Sequence, residues 1–137
     1  MKLAGGECSR SFIAEVFSGL GEGEFYVSIY AKGFRVKLGF TPYPGTLNTR
    51  LLRDVDLFNK CLGKSPKTVI EPPRIEGARL APVEAYPAFM NGYPVWIVRP
   101  QITVYKRDVA ELVADARLRD LFGLKDGDRV EIELRDP

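Results

Sequence analysis

V-E-A-Y-P-A-F-M-N-G-Y-P-V-W-I-V, residues Val83 to Val98, is the stretch that decides the fold. Two apolar runs flank Asn91-Gly92, a strong hairpin signal because a two-residue turn of this kind needs positive φ at both positions. The pattern predicts a strand near Val83–Phe89 that turns back into one at Val95–Val98. Working outward, further short strands are expected at Phe12–Phe17, Phe25–Tyr30, Arg35–Leu38, Thr46–Leu52, Thr68–Ile70, Arg79–Ala81, Ile102–Tyr105, Val109–Val113 and Arg129–Leu134. In Phe25–Tyr30, for example, Phe25, Val27 and Ile29 alternate with Tyr26, Ser28 and Tyr30. Asp54–Leu62 instead places Val55, Phe58 and Leu62 at helical spacing, with Gly63 just past the end. Asp108–Phe122 reads either as one amphipathic helix or as a strand followed by a helix at Ala116–Phe122. The second reading is adopted, with Asp115 as the cap and Gly123 as the stop. Many short strands and two short helices point to a mainly β, small closed barrel, since closure removes exposed strand edges.

Composition narrows the function. The 137 residues fit one domain, expected to run from Phe12 to Pro137 behind a flexible segment, Met1–Ser11. The formal net charge of +2 suits a small anionic ligand and argues against nucleic acid, which would call for a strongly basic face. The sequence has no histidine, which removes any histidine base and the usual zinc patterns. Cys8 and Cys61 lie far apart in unlike contexts and are read as free thiols in a reducing cytosol. No apolar run reaches the length of a membrane span and no signal peptide is apparent, so a cytoplasmic monomer is expected. One glutamine and three asparagines are few for this length and hint at a hot habitat.

The chemistry concentrates in L-G-F-T-P-Y-P-G-T-L-N-T-R-L, Leu38 to Leu51. Phe40, Pro42, Tyr43, Pro44 and Gly45 make a stiff link, because proline fixes φ. On a strand beginning near Thr46, Thr46 and Asn48 project to one face and Leu47 to the other. Two small oxygen-bearing side chains held together there suit a metal–phosphate complex. Upstream, Gly19-Leu20-Gly21-Glu22-Gly23 offers backbone N–H groups that a phosphate can approach closely. It lacks the Gly-Lys-Ser/Thr of a Walker loop and the spacing of a dinucleotide fingerprint. Trp96, Phe89 and Tyr93 around the hairpin are read as packing residues.

These two segments, with Arg117-Leu118-Arg119-Asp120-Leu121-Phe122-Gly123-Leu124-Lys125-Asp126-Gly127-Asp128, resemble the archaeal CTP-dependent riboflavin kinases. The resemblance runs from about Ala14 to Leu134. It implies a six-stranded β-barrel of cradle-loop type that moves the γ-phosphoryl of CTP to riboflavin, giving FMN and CDP. It implies that Gly19, Leu20, Gly21, Glu22, Gly23 and Glu24, together with Ala116, Arg117, Leu118 and Arg119, bind the nucleotide. The carboxylate of Glu24 would repel a triphosphate and is not expected to touch it. Thr46 and Asn48 become the Mg2+ ligands. Both are neutral, so the phosphates must supply the charge that holds the ion. Thr103 and Glu111 are assigned to the flavin, with Glu111 also a base for the ribityl hydroxyl. Some members of that family carry an added N-terminal DNA-binding domain, for which 137 residues leave no room. Two other readings stay open. Leu118–Leu134 also resembles DNA-binding barrels of the swapped-hairpin type, and a flavin- or nucleotide-binding barrel without catalysis would share the same motifs.

Overall fold

The computed structural model describes residues 3–19, 27–77, 80–100 and 106–135. Among the described residues seven strands are present: β1 (Ser11–Phe17), β2 (Leu47–Leu51), β3 (Thr68–Ile70), β4 (Val83–Met90), β5 (Tyr93–Pro100), β6 (Val109–Val113) and β7 (Arg129–Leu134). With them, among the described residues, are a 3-10 helix at Leu3–Cys8 and the helices α1 (Ala31–Leu38), α2 (Val55–Leu62) and α3 (Leu118–Phe122).

The strands run β4–β5–β6–β2–β1–β7 and return to β4, so six antiparallel strands close a barrel within a single chain. Closure depends on the length of β4. Its first half pairs with β3, Thr68 opposite Ala85, and its second half pairs with β7, Met90 opposite Ile132. The Asn91-Gly92 turn forms as expected, with φ of 49° and 82°. It also docks on β7: the Asn91 N–H donates to the Glu131 carbonyl and the Glu131 N–H to Asn91 Oδ1, each at 2.9 Å. The β4–β5 hairpin thus also ties the barrel's seam.

Alternation fills the interior. Phe12, Ala14 and Val16 of β1 meet Leu47, Leu51, Ile97, Leu112 and Ile132, and α2 adds Phe58, Cys61 and Leu62. Outside, the β4–β5–β6 face carries a second apolar layer. Val83, Ala85, Val98 and Val113 pack with Ile70 under Val27, Tyr30 and Phe34. All five residues of β6 are buried.

That second layer corrects two expected strands. Of the expected Phe25–Tyr30 strand, residues 25–26 lie outside the described residues and 27–29 are helical, while Arg35–Leu38 lies in α1 rather than in a strand. The buried set is Val27, Tyr30 and Phe34, spaced three and four apart, which is helical periodicity. The alternation of β-branched and aromatic residues in this stretch was a poorer guide than the face that had to be covered. Arg79–Ala81 forms no strand at residues 80–81, and residue 79 lies outside the described residues, as do Ile102–Tyr105. Helix α3 begins at Leu118 with Arg117 at its N-cap. Asp115 does not cap it; its carboxylate accepts the Tyr93 hydroxyl at 2.5 Å.

The cysteines are also corrected. Cys8 and Cys61 form a disulfide, with Cα atoms 5.5 Å apart, that fastens the 3-10 helix to α2. A Lys60–Glu7 ion pair at 2.7 Å runs alongside. The two cysteines are 53 positions apart in sequence, so only tertiary packing brings them together.

Candidate active site

The site lies on the outer face of the barrel, where β1, β2 and β6 are not covered by α1. Leu47, Thr49 and Leu51 of β2 point inward, and Thr49 satisfies its hydroxyl on the Ala110 carbonyl at 2.7 Å. The opposite parity sends Asn48 outward, and Thr46 with it. In register, Asn48 stands between Phe17 of β1 and Glu111 of β6, and Glu111 stands beside Val98 of β5. Glu111 thus occupies the border between the open half of the outer face and the covered half.

Three side-chain oxygens converge there. Thr46 Oγ1 lies 3.4 Å from Asn48 Oδ1 and 3.4 Å from Glu111 Oε1. One hydroxyl proton is offered to two acceptors, and both separations are long for an O–H···O bond. Such a group of hard oxygens, one of them ionisable, is chemically suited to a divalent cation of the magnesium kind. Among the described residues there is no cluster of three or more His, Cys, Asp or Glu side chains. Two neutral ligands and one carboxylate fit an ion that arrives with its own anionic partner, and not a permanent metal centre.

A cleft of about 310 Å3 opens over this pair. One wall is Phe17, Ser18 and Gly19, where β1 runs into the glycine-rich segment. A second is Tyr43, Pro44 and Gly45, and a third is Ala116, Arg117, Leu118 and Arg119. The stiff link does what its prolines suggest: the Tyr43 N–H donates to the Ala114 carbonyl at 2.8 Å, which pins the link against the segment leading into α3. Arg117 and Arg119 bring positive charge to the cleft. Arg117 pairs with Asp120, and Arg119 with Asp126, each at 2.7 Å.

Of the expected site residues, Gly19, Thr46, Asn48, Ala116, Arg117, Leu118 and Arg119 line this one cleft. Glu111 reaches it through Thr46 and also borders a second depression, of about 120 Å3, beside Arg99, Lys106 and Arg107. Burial depresses the Arg99 guanidinium from its ordinary value. It is held by the Asn59 side chain and by the Arg107 carbonyl at 3.2 Å. Leu20, Gly21, Glu22, Gly23, Glu24 and Thr103 lie outside the described residues. Sequence reasoning gave no role to Ser18 or Asp126, whose side chains meet at 2.7 Å across 108 positions. No local pattern marks that pair.

With the geometry in place, comparison with known proteins is informative. The family described as CTP-dep_RFKase, domain of unknown function DUF120, matches residues 16–134. The chain belongs to this family. The riboflavin kinase of Aeropyrum pernix is 52% identical over 127 residues, spanning 92% of this chain and 96% of its own length. The riboflavin kinase of Staphylothermus marinus is 38% identical and is spanned over 89% of both chains. That of Archaeoglobus fulgidus is 44% identical across 88% of this chain, which spans only about half, 52%, of that longer relative. The match covers every wall of the cleft, from Phe17 to Arg119, so the Thr46–Asn48 pair lies inside the matched region. Among the described residues, no helix of this riboflavin kinase family member is long and apolar enough to cross a membrane.

Proposed function

We propose that this chain is a CTP-dependent riboflavin kinase that uses Mg2+. One observation carries the reading: the Thr46–Asn48 pair, the start of the glycine-rich run at Gly19 and the Ala116–Arg119 segment share one cleft. In a triphosphate complex the cleft walls hold the phosphates, and Arg117 and Arg119 supply charge-assisted donors. Thr46 and Asn48, with Glu111 behind them, would hold the cation, which would supply positive charge against the phosphates. Riboflavin occupies the Glu111 side, towards the second depression. The ribityl 5′-oxygen attacks the γ-phosphorus, the bond to the β,γ-bridging oxygen breaks, and CDP leaves. The hydroxyl proton passes to the Glu111 carboxylate. Positioning and charge neutralisation supply most of the rate, because the transfer asks for little covalent help from the protein.

The choice of CTP follows the family, and backbone groups of the cleft are the natural readers of a cytosine ring. Purified protein with riboflavin, magnesium and either CTP or ATP decides the matter. FMN formed with CTP and not with ATP is the expected result. Absence of FMN with both nucleotides removes the kinase reading, and FMN with ATP alone removes the donor assignment. Calorimetric titration of magnesium into the protein without nucleotide should show no tight binding.

A further inference from the structure

We propose that Asp126 is a positioning residue for the nucleotide, a clamp whose carboxylate joins Ser18 on one wall of the cleft to Arg119 on the other. The inference rests on the kinase reading above and adds to it a residue outside the three motifs. Ser18 Oγ donates to Asp126 Oδ2 at 2.7 Å, and Arg119 Nη2 donates to Asp126 Oδ1 at 2.7 Å. Each carboxylate oxygen therefore holds a different wall. Arg119 Nη2 also reaches the Phe17 carbonyl at 3.4 Å, so the guanidinium is drawn to the end of β1 from two directions. Both bonds use Nη2, and a guanidinium has three further N–H donors.

The position of Asp126 is itself fixed. It sits in the turn between α3 and β7, where the Gly127 N–H donates to the Val16 carbonyl and the Val16 N–H to the Asp128 carbonyl, each at 2.8 Å. Gly127 has φ of 93°, a conformation that side chains disfavour, so the turn needs glycine there. Asp128 spends its carboxylate inside the turn, accepting the Lys125 N–H at 2.9 Å. Asp126 faces out of the same turn towards the cleft walls. The two aspartates differ in what they hold: one shapes the loop, the other spans the site.

Stability does not account for this arrangement. The Asp126 side chain is 55% exposed, and exposed ion pairs add little to folding. What the pair does is restrict the rotamers of Arg119 and anchor the residue from which the glycine-rich run departs. A ligand that needs both walls at once gains from having them preset. The Ser18 hydroxyl, and then Arg119, hold the Asp126 carboxyl below its ordinary range, so the clamp is charged throughout neutral pH.

The test compares wild type with Asp126→Asn and Ser18→Ala. CTP is varied at saturating riboflavin, riboflavin at saturating CTP, and CTP binding is measured directly by calorimetry. Asp126→Asn should raise the KM for CTP about tenfold, the worth of one charge-assisted bond, and leave kcat and the KM for riboflavin within about twofold. Asp126→Glu should recover part of the loss. Ser18→Ala should act in the same direction, and the double variant should be no worse than Asp126→Asn, because both break one bridge. An unchanged or lowered KM for CTP, or equal changes in both KM values, overturns the clamp. Calorimetry separates this from the parent reading. Weaker CTP binding by Asp126→Asn supports the clamp even if wild type makes no FMN, whereas equal binding by the two proteins refutes it even in an active kinase.

Discussion

The outer surface of the barrel has two halves that share a strand. Over β4, β5 and β6, helix α1 buries Phe34, Val98 and Val113 in an apolar layer. Over β2 and β1, the same outward parity carries Asn48 and Arg50, which α1 does not cover. β6 belongs to both halves. Its Val113 lies under the covering layer, while Glu111, two residues earlier on the same face, touches Thr46. The lesson concerns how a barrel that is too small to hold a ligand inside can still build a site. The interior is packed with side chains, so the chemistry moves to an outer face. Sealing one half against water leaves the other as a stiff, polar floor. Glu111 at the border is only 7% exposed, yet its carboxylate meets the cleft oxygens.

If the open half carries only chemistry, removing its oxygens should leave the fold intact. Replacing Thr46 and Asn48 together by alanine should lower kcat about 10²–10³-fold or more, on the scale of losing preorganised charge-stabilising groups. Riboflavin affinity, read by quenching of flavin fluorescence, should change little, and so should the unfolding midpoint. Retained turnover would move the phosphate-handling site elsewhere.

If the covered half carries only stability, the opposite split is expected. Phe34 is fully buried against the outer face. Phe34→Ala should cost about 3–5 kcal/mol in denaturant unfolding, the usual range for a buried phenylalanine. At temperatures where the variant stays folded, kcat and both KM values should remain near wild type. A collapse of turnover in folded Phe34→Ala would show that α1 supports the site through β6, and the division into halves would fail.

The sequence was legible where local rules and global fold agree. Asn91-Gly92 needs positive φ in any context, and the hairpin appeared at the expected residues. Thr46, one residue ahead of β2, stays beside Asn48 as strand spacing suggests, and α2 kept its helical spacing. Legibility failed where distant parts decide. Residues 27–38 contain enough β-branched and aromatic side chains to mimic strands, but the face they cover exists only once β4, β5 and β6 have assembled. The Cys8–Cys61 disulfide joins residues with no spacing motif, and reading them as thiols assumed a reducing compartment. Intracellular proteins of hyperthermophiles are a known exception to that assumption, and the scarcity of glutamine and asparagine already pointed to heat. Ser18 and Asp126 meet only because the turn before β7 is laced to β1, a contact that no periodicity announces.

The smallest effect tests how tightly the cover is fitted. A Cβ placed on Gly33 of α1 would lie 2.6 Å from Ile70 Cγ2, well inside contact distance. Ile70 is fully buried and its Cγ2 is a methyl at the branch point, so it has little freedom to swing away. Two terms compete in Gly33→Ala. Helix propensity favours alanine by about 1 kcal/mol, and overpacking opposes it by about 1–3 kcal/mol. The net expectation is a loss of about 1 kcal/mol, read as a lowered denaturant midpoint at unchanged m-value. The cause is identified by repeating the change in an Ile70→Ala background. That background removes the clashing methyl, so the same glycine replacement should there become neutral or stabilising, with a coupling of about 1 kcal/mol or more between the two positions. If Gly33→Ala costs the same in both backgrounds, the close approach of α1 to β3 is not what requires glycine. The covering helix would then be held by its aromatic side chains alone.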